Sequence, residues 1–137
     1  GRGPWENYPD RKGSAFLNVY EMPLSDYETE YIHPQDNGNR CDIRWFEISS
    51  ENSDNVLRID GCQPLCIRAW DYGEEDLEGV RHPNDIQRGR FVNLNIDLNV
   101  HGVGGADTWG KHTLPQYTID GNQPHHYSFI LSCSVKK

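Results

Sequence analysis

The chain has 137 residues, with 21 acids against 13 bases and a formal net charge of −8. That balance argues against nucleic acid, which wants basic patches, and against an anionic membrane surface, while suiting neutral ligands such as sugars. The length suits a single domain over 1–137, and no run of 18 apolar residues marks a transmembrane helix. Only 35% of residues are apolar, yet 13 glycines and 8 prolines accompany 4 Trp, 7 Tyr and 4 Phe. Many turn formers with many aromatics read as all-β with long loops.

The opening GRGPWENYPDRKG (1–13) is turn chemistry, with Trp5 and Tyr8 pinning it to a core; lacking an initiator Met, it reads as a cut from a longer chain. Ser14–Tyr20 reads as a strand that Pro23 ends, and Leu24–Tyr31 as extended. Asn37-Gly38 marks a turn, and Asp42–Ser49 is a run of strand formers. Val56–Asp60 and Leu65–Trp70 both alternate, and they pair as a hairpin across Gly61–Pro64. The acids Glu74, Glu75, Asp76 and Glu78 disfavour a strand, so Asp71–Arg81 reads as a helix of one or two turns.

Phe91–Val100 has a clean period of two, with Val92, Leu94, Ile96, Leu98 and Val100 on one face and Asn93, Asn95, Asp97 and Asn99 on the other. One polar and one apolar face are typical of an antiparallel sheet. Leu114–Ile119 reads as a short edge strand and Tyr127–Val135 as the last strand. The expected fold is an all-β antiparallel sandwich with at most one short helix.

Between two of these strands lies VGGADTWGK (103–111), too rich in glycine for regular structure and so a loop. It holds Trp109 beside Asp107. An indole offers a flat apolar face and one N–H donor, which suits stacking on a sugar ring. Plugging the end of the core is the other use of such a side chain.

Catalytic signatures are missing. No context marks a paired-carboxylate site among the 21 acids, there is no G-x-S-x-G, and GVGGADTWG has neither the register nor the following helix of a phosphate cradle. His125 and His126, adjacent in a strand, point to opposite faces and make poor partners for one metal. Cys41, Cys62, Cys66 and Cys133 lack the paired C-x-x-C of a zinc site and read as thiols. A reducing compartment follows, the cytoplasm, with the periplasm as the alternative.

Four runs carry a resemblance: GRGPWENYPDRK (1–12), MPLSDYETEYIHPQDNGNRCDIRW (22–45), FVNLNIDLNVHGVGGADTWG (91–110) and LPQYTI (114–119), closed by YSFIL (127–131). In this order they resemble the C-terminal part of the large bacterial β-galactosidases of glycoside hydrolase family 2, the lactose-cleaving type. The resemblance implies roughly the second half of a β-supersandwich, similar to the galactose-mutarotase fold. It implies that the catalytic glutamates and the magnesium and sodium ligands belong to a separate barrel domain, so that no catalytic residue, metal ligand or cofactor falls in this chain. The family's tryptophan that reaches into the active site falls on Trp109, which implies substrate binding there, with Asp107 as loop support. Of the two acids common before that tryptophan the first is Ala106 here, and Thr108 stands where Ser is common. The implied partners are a galactoside sugar, the remaining domains of a parent enzyme and, for the parent, further copies of itself.

Three readings follow. The chain is a portion of a β-galactosidase that walls the sugar site and is inactive alone, a stand-alone carbohydrate-binding module, or a structural or oligomerisation piece. Trp5, Trp45 and Trp70 read as core, and Arg40, Arg44 and Asp42 as buried ion pairs that hold loops.

Overall fold

A computed structural model describes residues 1–107 and 109–136. Its spine is one strand, β4, which runs from Asn55 to Trp70 over 16 residues. The alternating VLRID and LCIRAW segments are therefore the two ends of a single strand, and not the arms of a hairpin. β3 (Arg40–Ser49) lies antiparallel on one edge of β4, with Trp45 opposite Asp60 and Ile43 opposite Leu65. Four residues of β4, Gly61 to Pro64, thus face Arg44 alone. The turn signals in that stretch are absorbed as a bulge, because β3 continues past it and keeps pairing on the far side.

β5 (Asn93–Asp97) and β6 (Phe129–Val135) share the other edge of β4. β5 pairs with Cys66–Trp70 and β6 with Asn55–Gly61, both antiparallel. A two-stranded ribbon, β1 (Arg2–Gly3) with β2 (Phe16–Leu17), accompanies this sheet. The fold is an all-β antiparallel sandwich, as the sequence leads one to expect.

Helical content is slight. Pro23 precedes one helical turn, α1 (Leu24–Tyr27), in a stretch the sequence reads as extended. The turn brings the Tyr27 ring under the sheet, where its hydroxyl donates to the Ile67 carbonyl at 3.1 Å and its ring meets Phe46 edge-on. Among the acids of 71–81 a 3₁₀ turn forms at Glu74–Leu77, shorter than the expected helix but in its place. Leu114–Ile119 is not a strand: Pro115, which has no donor for a ladder, opens a 3₁₀ turn over Pro115–Tyr117.

Two apolar clusters hold these pieces. Ile43, Ile59, Leu65 and Ile67 are buried together, with Phe46, Leu94 and Ile96 against them. Trp70, Tyr72 and Ile86 form the second, with Leu77 and Val80. Each such side chain contributes roughly 1.5–3 kcal/mol by leaving water. Among the described residues no helix is long and apolar enough to cross a membrane.

Candidate functional site

The glycine-rich loop leaves β5 and returns toward the 3₁₀ turn at Pro115. Gly102 donates to the Tyr117 carbonyl at 2.8 Å, which joins the two limbs. A Cβ on Gly102 would come within 2.7 Å of Thr113 Oγ1 and 2.9 Å of Asp10 Cγ, so no larger residue fits at this neck. Gly104 and Gly105 follow with φ of 68° and 72°, a conformation open to glycine and costly for most side chains.

The neck is closed by a residue from the far end of the sequence. The Asp10 carboxylate accepts from Val103 N at 3.0 Å, Gly104 N at 2.8 Å and Thr113 Oγ1 at 3.1 Å. Arg11 adds a hydrogen bond from Nη2 to the Gly104 carbonyl. Burial pushes the Asp10 carboxyl up, but the Gly104 and Val103 amides and the Thr113 hydroxyl outweigh it and hold it below the usual carboxylate range. This pairing spans more than ninety residues, and nothing in the turn chemistry of PDRK announces it. The only sequence signal is that an acid stands in an otherwise irregular, aromatic-rich opening.

Beyond the neck, a second carboxylate shapes the tip. Asp107 Oδ1 accepts from Trp109 N at 2.9 Å and Lys111 N at 3.2 Å, a local turn of the kind Asp favours. Trp109 is 89% exposed, so within this chain it plugs nothing. Thr108 lies outside the described residues. Chemically the loop offers an open indole face on a tied base. Both of its acids are committed to backbone amides, which leaves neither placed as a proton-transfer group.

The other residues singled out from sequence are scattered. Trp70 is fully buried and donates from Nε1 to the Asn37 carbonyl at 3.1 Å. Trp5 and Trp45 are not core: they are 62% and 38% exposed, and Arg58 covers the Trp45 ring at 4.6 Å. Arg40 is buried as expected, but it bonds the Pro4 and Gly38 carbonyls and stacks on Tyr27 instead of pairing with an acid. Asp42 pairs with Arg2 and Lys12 from the opening segment, while Arg44 is exposed. Asp42 takes a φ of 56° in the β3 irregularity, which turns its carboxylate toward both cations.

The opening segment is therefore a brace. Glu6 accepts from Gly38 N at 2.8 Å and from the Tyr8 and Tyr31 hydroxyls, and Asn7 bonds Cys41 N at 2.9 Å. Among the described residues no group of three or more His, Cys, Asp or Glu is placed to hold a metal ion. A hollow of about 480 Å³ opens elsewhere, lined by Glu28, Glu30, Asp71, Ile86 and Arg88 among others. Arg88 bonds Glu28 at 2.9 Å and Asp71 at 2.8 Å, so its guanidinium is already paired.

A family model described as β-galactosidase small chain matches residues 1–131. A β-galactosidase of Priestia megaterium is 34% identical over 131 residues, covering 96% of this chain and 13% of the relative. One from Vibrio cholerae is 35% identical over 136 residues, covering 99% and 12%, and one from Alteromonas mediterranea is 36% identical over 135 residues, covering 98% and 12%. The chain thus spans only about an eighth of the length of these relatives.

Proposed function

The chain belongs to the β-galactosidase small-chain family, and from that premise we propose that it is the C-terminal portion of an enzyme that hydrolyses terminal non-reducing β-D-galactose from β-galactosides. In this reading 1–137 is one unit of a supersandwich. It supplies a sugar-binding wall and no catalytic carboxylate pair; the remaining domains of the parent supply the chemistry. Trp109 is the sugar platform and Asp107 holds the turn beneath it. The parent works as a homo-oligomer in the cytoplasm.

The observation that carries the reading is the 89% exposed indole at the tip of a loop whose neck is tied by a buried carboxylate. A large aromatic held out in water on a fixed base gains nothing for folding, and it stacks well on an apolar sugar face. The decisive experiment places Trp109→Ala in the full-length polypeptide and measures hydrolysis of lactose and a chromogenic galactoside. KM should rise about tenfold, since loss of one aromatic contact is worth on the order of 1–2 kcal/mol. Trp109→Phe should recover part of that loss. An unchanged KM overturns the reading. The 137-residue chain alone should show no turnover. Galactose binding by it alone, lost in Trp109→Ala, would favour a self-sufficient sugar-binding module instead.

A further inference from the structure

We propose that Asp10 is the positioning residue of the Trp109 loop: by closing the neck it sets where the indole stands, without touching the sugar. The proposal rests on the preceding reading of Trp109.

The three donors that reach the Asp10 carboxylate bracket the loop. Val103 and Gly104 sit where the chain enters it, and Thr113 where it leaves. One buried anion, its side chain only 5% exposed, therefore ties both limbs of a loop whose tip lies five residues beyond Gly104. Hydrogen bonds to an ionised acceptor are roughly twice as strong as neutral ones. The fit leaves little play, because a Cβ on Gly104 would lie 3.1 Å from Thr113 N. Arg11 holds the carbonyl of the same glycine whose amide Asp10 holds, so both faces of the Gly104 peptide region are fixed from one dipeptide. By contrast the tip relies on the local turn at Asp107. Among the described residues it is the neck that ties the loop to the rest of the fold.

Asparagine at position 10 keeps the shape but turns one acceptor into a donor. Val103 N lies on one oxygen, and Gly104 N and Thr113 Oγ1 on the other. In either orientation the amide nitrogen would therefore face a backbone N–H of the entering limb, while the Thr113 hydroxyl can turn to accept; the entering limb is released.

The test is a double-mutant cycle in the full-length polypeptide, with Asp10→Asn and Trp109→Ala alone and together, read as KM and kcat on a galactoside. Asp10→Asn alone should raise KM about tenfold, as displacement of a positioned group does, with kcat changed less than KM. In the Trp109→Ala background the same substitution should add less than about twofold, because the group it positions is gone. An equal rise in both backgrounds overturns the proposal, since Asp10 would then act by another route. So does no rise in either.

Hydrogen exchange of the peptide covering 98–113 in the same proteins separates this result from failure of the sugar reading. If Trp109→Ala leaves KM unchanged, the platform falls; faster exchange at Val103 and Gly104 in Asp10→Asn still upholds the clamp, and unchanged exchange overturns it. Should Asp10→Asn fail to fold, Thr113→Val removes one of the three bonds with little change of shape. It should raise KM about two- to threefold only where Trp109 is present, and an equal effect in both backgrounds overturns the proposal.

Discussion

The two ends of β4 have similar sequences and different surroundings. In Leu65–Trp70 the residues Leu65, Cys66, Ile67, Ala69 and Trp70 are all buried, so both faces of that end are covered. In Asn55–Gly61 only Ile59 is buried, and its neighbour β6 is exposed along its whole length. The difference lies in what the chain lays on top. Tyr27, the buried Asn39–Arg40 corner and the Tyr72–Ile86 segment close over the first end. β6 brings Phe129, Ile130, Leu131 and Val135 to the second end and leaves them 37–64% exposed. Alternating hydrophobicity sets which way a side chain points; whether that direction leads to a core depends on a partner from far along the sequence.

The sharpest way to break this comparison is to empty the covered end. Trp70 is 1% exposed, stacks on Tyr72 with ring centres 5.1 Å apart, and donates to the Asn37 carbonyl. Trp70→Ala should cost about 3–5 kcal/mol, from lost burial, an unfilled cavity and an orphaned carbonyl. Urea unfolding checks it. A loss under about 2 kcal/mol would mean that the two ends are more alike than their exposures indicate.

Much of this contrast was out of reach of sequence reading. Strand positions are legible where β-branched and aromatic residues alternate, within 42–49, 91–100 and 127–135, because that pattern depends on the strand itself, although β5 and β6 occupy only Asn93–Asp97 and Phe129–Val135 of the last two. The continuity of β4 is not legible, because Gly61 and Pro64 are turn residues and only the pairing of β3 on both sides of them makes a bulge. Pro115 makes a 3₁₀ turn of an apparent strand by local chemistry, since its nitrogen has no proton to give a ladder. At the loop, glycines and tryptophan were plain from composition and register. The neck was not, since Asp10 meets Val103 across 93 residues of separation. Trp5 and Trp45 lie outside the core: a large apolar side chain reports a preference for burial, and the covering surface is not in the local sequence.

A smaller effect is expected at the open end. Leu131 lies opposite Ile59 in the ladder, yet it is 58% exposed. Leu131→Ala should therefore lower the stability of this chain by less than about 1 kcal/mol, in proportion to the little surface it now buries. The comparison sharpens if the same substitution is made in the full-length polypeptide. There, should the remaining domains cover β6, the cost rises toward the 2–5 kcal/mol of a core leucine. Equal small costs in both settings would show that this strand stays bare.

The four cysteines test the contrast with almost no change in stability, because they divide between the two environments. Cys41 and Cys66 are buried at the covered end, with sulfurs 3.7 Å apart, while Cys62 at the bulge and Cys133 on β6 are exposed. The thiolate is the reactive form, so both access and proton affinity matter. Sharing a proton with Cys66 and burial push the Cys41 thiol up, while the same pairing lowers Cys66, so it is burial that shields Cys66. The Asn7 carbonyl also accepts from the Cys41 sulfur at 3.5 Å. Under native conditions an aromatic disulfide reagent should thus label Cys62 and Cys133 quickly, and Cys41 and Cys66 only as the protein opens. Adding denaturant should release the second pair at the same midpoint as global unfolding, because Cys41 and Cys66 join β3 to β4 across the covered end. Release of that pair well below the midpoint would instead make the covered end a unit that opens on its own, and would reverse the order of stability that the exposures imply.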